Sequence, residues 1–209
     1  MKGRKTSMLL LLTFCCLVTL LLSNLQAMET QEQLLVRLEA EIHASTNLSD
    51  DAKDMVTGIL LPKITNPVLI TEIKAQNAKN VSLVAIKEID GDWKAEEGDI
   101  PLHEQLMANT TANELSTMVA ELPQITECFV MDNQGANVGQ YNETSDYWQG
   151  DEAKWQNSFN NGKGGVDVGD KEIDESTAMA QQQISLPIVD GDGTVVGAIT
   201  FGLDVSSMR

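Results

Sequence analysis

The sequence predicts an α+β domain, helical in its first half and built on an antiparallel sheet in its second. Three observations carry this. Apolar residues recur at helical spacing from Gln31 to about Leu122. After Pro123 the period changes to short β-rich runs separated by turn residues. The last two runs are joined by Asp190-Gly191-Asp192-Gly193, a hairpin turn.

In chain order, Lys2, Arg4 and Lys5 precede an uncharged apolar run from Met8 to Leu22, and Ser23-Asn24-Leu25-Gln26-Ala27 follows. This is the layout of a secretory signal, with cleavage expected after Ala27. The run is about 15 residues, short of the roughly 20 that span a bilayer comfortably. The alternative is that residues 8–22 remain as an anchor to the inner membrane. Either way residues 28–209 are expected outside the cytoplasm, periplasmic or secreted. Residues 28–65 read as an N-terminal helical region and residues 66–206 as a single domain.

Gln31 to Ala44 places Leu34, Leu35, Leu38 and Ile42 on one helical face. Ser49 or Asp50 can cap a second helix, with Met55, Val56, Ile59 and Leu60 directed inward. Asn66-Pro67 is a start signal, an acceptor side chain at N-cap and a pre-set φ at N1. That helix runs through Ile73 to about Ala78. Shorter helices follow at Val81–Ile89, Leu102–Met107 and Ala112–Leu122. Ile125–Met131 and Ala136–Tyr141 read as strands around the turn Asp132-Asn133-Gln134-Gly135. Asp151–Phe159 reads as a helix and Asn160–Gly169 as a Gly-rich loop. Gln181–Val189 and Thr194–Val205 read as the closing hairpin. In the last strand, odd positions carry Val195, Ile199, Leu203 and Val205, and even positions carry Ala198, Thr200, Gly202 and Asp204. One face therefore packs against bulk. The other either admits a helix closely or leaves a cavity.

The 209 residues allow one domain of ordinary size with a real core. Fourteen Lys and Arg against 31 Asp and Glu give a net charge of -17, which repels phosphate backbones and argues against nucleic-acid partners. Two histidines and three cysteines leave little for a His- or Cys-built metal centre. Cys128, alone beyond the N-terminal segment, reads as a small buried hydrophobe. The hairpin Asp190-Gly191-Asp192-Gly193 has Val195 and Phe201 where a helix-loop-helix calcium loop needs Gly and Glu. A Gly-Lys-Ser/Thr phosphate loop and a Gly-x-Ser-x-Gly elbow are both missing from the sequence. A binding protein without catalysis or cofactor is expected.

Of three Trp, two Tyr and four Phe, five lie between 141 and 159: Tyr141, Tyr147, Trp148, Trp155 and Phe159. Asp146, Gln149, Asp151 and Lys154 are interleaved with them. Aromatic walls with a few polar groups make small-ligand pockets. The competing reading is a satellite core, with Trp155 and Phe159 anchoring their helix to the sheet.

The order of a helical N-terminal region, Ile125-Thr126-Glu127-Cys128-Phe129-Val130-Met131-Asp132-Asn133-Gln134-Gly135, an aromatic loop-helix and Gly197-Ala198-Ile199-Thr200-Phe201-Gly202-Leu203-Asp204-Val205 resembles the Cache (PDC) domains. These are PAS-like extracytoplasmic sensors of chemoreceptors, histidine kinases and cyclases. Thr144 to Trp155 resembles small single-module relatives without an output domain. The resemblance implies a PAS-like antiparallel sheet of about five strands, with a long N-terminal helix and a helix-loop cover over the ligand. In its amino-acid-binding members an Arg two residues before a Trp-Tyr pair clamps the ligand carboxylate. Ala153 and Gln156 stand at the Arg and Tyr positions here, while Asp204 matches a late Asp that takes the amine. The ligand-binding candidates are thus Tyr141, Asp146, Tyr147, Trp148, Gln149, Asp151, Lys154, Trp155 and Asp204. The expected role is sensing a small molecule, with a membrane receptor or kinase as protein partner. The alternative is a structural or interaction protein of the same fold without a ligand.

Overall fold

The computed structural model describes residues 29–95, 101–174 and 179–208. The expectations for residues 1–27 lie outside them. Among the described residues no helix is long and apolar enough to cross a membrane.

The helical half begins with α1 (Gln31–Ala44), started by a capping box between Thr30 and Gln33. Its stripe of Leu34, Leu38 and Ile42 is buried. Then come α2 (Asp50–Met55), capped by Ser49, a π turn over Val56–Leu60 and a 3-10 turn over Leu61–Thr65. The wider π turn shifts the inward set to Ala52, Val56 and Leu60, so Ile59, expected inward, is exposed. In α3 (Pro67–Asn77) Asn66 Oδ1 accepts from the Val68 and Leu69 amides at 2.8 and 3.2 Å, as its sequence signal implies. Helices α4 (Leu83–Ala95), α5 (Pro101–Ala108) and α6 (Thr110–Glu121) complete this half. The fourth helix runs past its expected end at Ile89, because Trp93 is buried on its inner face.

Strands β1 (Ile125–Met131), β2 (Asn137–Gln140), β3 (Asp167–Asp174), β4 (Met179–Val189) and β5 (Val195–Asp204) form one antiparallel sheet in the order β2-β1-β5-β4-β3. Helix α7 (Ala153–Phe159) precedes β3. The fold is thus the expected α+β, PAS-like arrangement with five strands. Strand β3 falls partly in the stretch read as loop. Its sequence, Asp-Val-Gly-Asp-Lys-Glu-Ile-Asp, is charged because it is an edge strand, and charge there discourages pairing with other chains.

The two faces of the sheet differ. Cys128 and Val130 of β1, Ile184, Leu186 and Ile188 of β4, and Ile199, Phe201 and Leu203 of β5 pack with α1, α3 and α6 into the main core. The opposite face carries Phe129, Met131, Ser185, Ala198, Thr200 and Gly202, and α7 lies across it. Burial pushes the Cys128 thiol up, which keeps it protonated and inert. Arg37 of α1 pairs with Glu29 and Glu41 at 3.0 and 2.8 Å and donates to the carbonyls of Lys163 and Gly164, fixing the loop that leads into β3.

On β5, Gly197 faces the helical layer, where an added Cβ would run into the Met131 carbonyl and the Ile73 side chain. Gly197→Ala should destabilise the fold by about 1–3 kcal/mol. Gly191→Ala, at an open position of the hairpin turn, should stay within about 0.5 kcal/mol of the parent. Urea denaturation of both variants checks this; equal midpoints would show that the close approach of α3 to β5 is not a constraint.

Candidate functional site

The α7-covered face of the sheet is built from rows of residues paired across strands. One row runs Met131–Ala198–Pro187, the next Gln140–Phe129–Thr200–Ser185, and a third Glu127–Gly202–Gln183. Small side chains let α7 settle close over the first two rows. Trp155 packs on Phe129, Met131 and Ala198, stacks on Phe159 with centroids 5.1 Å apart, and donates its indole N–H to the Asp132 carbonyl at 3.0 Å. Beneath it the Thr200 and Ser185 hydroxyls share a buried 2.8 Å hydrogen bond. Over these rows the small face admits a helix.

Over the third row it leaves a cavity of about 340 Å³. Gly202 and Gly169 form a floor without side chains, and Gln183 donates to Glu127 Oε2 at 2.8 Å across it. The walls are Lys154 and Glu152 of the α7 turn, paired at 2.9 Å, and Asp170 and Glu172 of β3. Four carboxylates thus surround one ammonium that is already paired. Such a site favours a cation and disfavours an anion. Among the described residues no group of three or more His, Cys, Asp or Glu is arranged to hold a metal ion.

A second polar cluster lies on the same face at the β2 edge. The register of β1 and β2 pairs Val130 with Gly139 and Met131 with Asn137, leaving Val138 as a bulge. Residues three apart on a regular strand point to opposite faces; the bulge brings Asn137 and Gln140 together, Nδ2 to Oε1 at 3.3 Å. Thr144 Oγ1, Asn137 Nδ2 and Gln149 Nε2 all donate to the Asp146 carbonyl, at 2.7, 3.2 and 2.8 Å. Asn137 Oδ1, Gln140 Nε2 and Gln149 Oε1 are buried without a protein partner. Each such atom costs about 1–3 kcal/mol when nothing meets it.

The nine candidates divide among these places. Lys154 lines the cavity and Trp155 closes the sheet beside it, while Gln149 belongs to the amide cluster. Tyr147 and Trp148 are buried in a satellite core with Ile86, Trp93 and Leu106, away from the cavity. There the Trp148 indole donates to the Gln134 carbonyl, Lys87 lies 4.3 Å above its ring, and its backbone N–H is accepted by Asp90. Burial pushes the Tyr147 phenol up, and the charge of Asp132 adds to this. Asp146 pairs with Lys94 at 3.0 Å, and Lys94 reaches Asp90 at 2.8 Å. Tyr141 and Asp151 are exposed. Asp204 accepts from the Ser206 amide at 2.9 Å, and hydrogen bonds from the Ser206 hydroxyl and amide hold its carboxyl below the usual range. Glu127, Gln183, Gly202, Asn137 and Gln140 were not among the candidates. Gly202 shows in the small-residue alternation, but the others emerge only once strand register is known.

No family model and no curated protein matches the chain. Among solved structures it is similar to the sensor domain of the Vibrio cholerae histidine kinase DctB, at 14 % identity and a TM-score of 0.43, over 84 % of this chain and 55 % of that one. It is similar also to the ligand-binding domain of the Pseudomonas aeruginosa amino acid chemoreceptor PctC, in complex with GABA, at 12 % identity and a TM-score of 0.37, over 63 % and 62 %. A third is the ligand-binding domain of the Campylobacter jejuni chemoreceptor Tlp3 in complex with 4-methylisoleucine, at 9 % and 0.34, over 83 % and 60 %. The chain spans little more than half the length of these structures. The first is a sensor domain and the other two are ligand-binding domains.

Asp132 sits where β1, the following turn and Trp155 meet. Its Oδ1 accepts from the Gln134 and Ala136 amides at 2.8 and 3.0 Å. Burial nevertheless pushes its carboxyl above the ordinary aspartate value of 3.8, against those hydrogen bonds. The folded state therefore holds this proton more tightly than the unfolded state. The group favours folding below pH 3.8, and that contribution is lost as pH rises through its folded value. Asp132→Asn keeps the acceptor and removes the titration. The stability of the parent minus that of the variant should fall from pH 3 to pH 7 in denaturation curves. A difference that rises instead would mean that the hydrogen bonds outweigh burial.

Proposed function

We propose that the chain is an extracytoplasmic sensor module of the Cache type that binds a small, positively charged molecule in the acidic cavity under α7. The observation that carries this reading is the cavity itself. Glycine replaces side chains on its floor at Gly202 and Gly169, and carboxylates exceed ammonium groups around it by four to one. Amines and other small cations fit that field, and Trp155 closes the apolar side next to it. Lys154 on the wall and Trp155 beside it then do part of the work expected of the loop-helix segment. Asp146, Tyr147 and Trp148 hold the segment in place from behind, through Lys94 and the satellite core.

The role is binding without catalysis or cofactor, read out by contact with a membrane receptor or kinase. Residues 28–209 work in the periplasm or as a secreted protein, or are tethered through residues 8–22. A ligand that meets both α7 and β3 ties the helix cover to the sheet edge, and a partner can read that change. The competing reading is an interaction protein of the same fold whose cavity holds no ligand.

Thermal-shift measurements with putrescine, ethanolamine, choline and n-butylamine test the proposal, with acetate and succinate as anionic controls. A cation at about 100 times its dissociation constant should stabilise the fold by about 2.7 kcal/mol, a rise of a few degrees in midpoint. Gly202→Val fills the floor and Glu127→Gln removes one charge; the first should abolish the shift and the second reduce it. A shift that survives Gly202→Val, or one produced by the anions alone, would move the site elsewhere. A cooperative melt unmoved by every cation would favour the interaction protein.

A further inference from the structure

We propose that the acidic cavity takes an α,ω-diamine of about four carbons, stretched between the β1 and β3 sides of the sheet, and not a cation held at one point. The inference rests on the cationic reading of the same cavity above and specifies the shape of its ligand.

The negative charge of the cavity stands at two ends. At the β1 end Glu127 and Glu152 share the space with Lys154, which leaves one net negative charge. At the β3 end Asp170 and Glu172 line the wall. Lys171 between them pairs with Gln182, which stands opposite Leu203 of the main core, so it points to the other face of the sheet. That end therefore carries two negative charges. A single ammonium compensates one end and leaves the other as it was.

The distance between the ends follows from the sheet. Glu127 Oε2 accepts from Gln183 at 2.8 Å and lies 3.2 Å from where a Cβ on Gly202 would stand, so this carboxylate is held over β5. Strand β3 is two places further on, and at about 4.8 Å per strand the ends lie about 10 Å apart. The cavity of about 340 Å³ is lined from one end to the other, with Gly202 and Gly169 on its floor. An unbranched methylene chain fits over such a floor and needs no polar partner there. At ordinary bond lengths the nitrogens of 1,4-diaminobutane are about 6 Å apart, and hydrogen bonds of about 2.8 Å at each end let it join carboxylates about 10–12 Å apart. Choline and ethanolamine carry one cationic group and reach one end only.

Calorimetry on the full chain with 1,4-diaminobutane, n-butylamine and calcium tests this. The diamine should bind at least about ten-fold tighter than n-butylamine, because its second ammonium arrives tethered. Calcium, a dication without length, should not displace the diamine at equal concentration. Asp170→Asn combined with Glu172→Gln, at exposed positions of β3, should bring the two amines to similar affinities. Glu127→Gln should do the same from the other end. Glu32→Gln combined with Glu39→Gln, exposed on α1 across the sheet, removes as much charge as the β3 pair and should leave the ratio unchanged. Equal affinities of the two amines in the unaltered protein, displacement by calcium, or the same loss in the α1 variant would overturn the two-ended ligand and leave the single-cation reading intact. Binding of neither amine would overturn both.

Discussion

The alternation along β5 is the constraint on which the rest of the molecule depends. Ile199, Phe201 and Leu203 face the helical layer, and Ala198, Thr200 and Gly202 face α7. A strand buried on both faces ordinarily reads as continuous apolar bulk. Here the missing bulk on one side sets how close α7 can come, and where it must stand off. At Ala198 the indole of Trp155 fills the space, and at Gly202 the space stays open. Helix contact and cavity follow from one gradient of side-chain size along a single strand.

The other face supplies the rigidity that this gradient requires. Asn66 starts α3 in register with the sheet, and α3 ends with Lys74 paired to Asp190 and Asn77 donating to the Val196 carbonyl at 2.8 Å. Arg37 holds the approach to β3. The polar groups of the cavity thus stand on strands and a helix clamped from behind. Pre-organisation of this kind lowers the ordering entropy that binding must overcome.

Much of this was legible in the sequence, and the failures have physical causes. Helical period and caps located the helical layer, because Leu34, Leu35, Leu38 and Ile42 share the core side only when the backbone is helical; a strand would turn Leu35 to the opposite face. Strand β3 was hidden because an edge strand keeps charge on both sides. The aromatic run from 141 to 159 stood out, yet its members serve opposite sides of the molecule: Trp148 turns toward α4 and Trp155 toward the sheet. The difference lies with Ile86 and Trp93, which are distant in sequence. The amides of Asn137 and Gln140 were invisible for a further reason, since at regular strand spacing they belong to opposite faces. Only the bulge at Val138 unites them, and the one sequence hint of it is the lone Gly139 inside the strand.

The ion pair between Lys154 and Glu152 has one more consequence. At 2.9 Å, on the rim of the cavity, the lysine ammonium already occupies one of the carboxylates that a cationic visitor would seek. It is tethered, so its local concentration at Glu152 is on the order of millimolar or more. The chain thus carries its own internal competitor. On the proposed reading a visiting cation displaces it or settles for the remaining carboxylates, which raises the concentration needed for half occupancy. Occupancy then follows changes in the surroundings instead of saturating at the first trace of ligand.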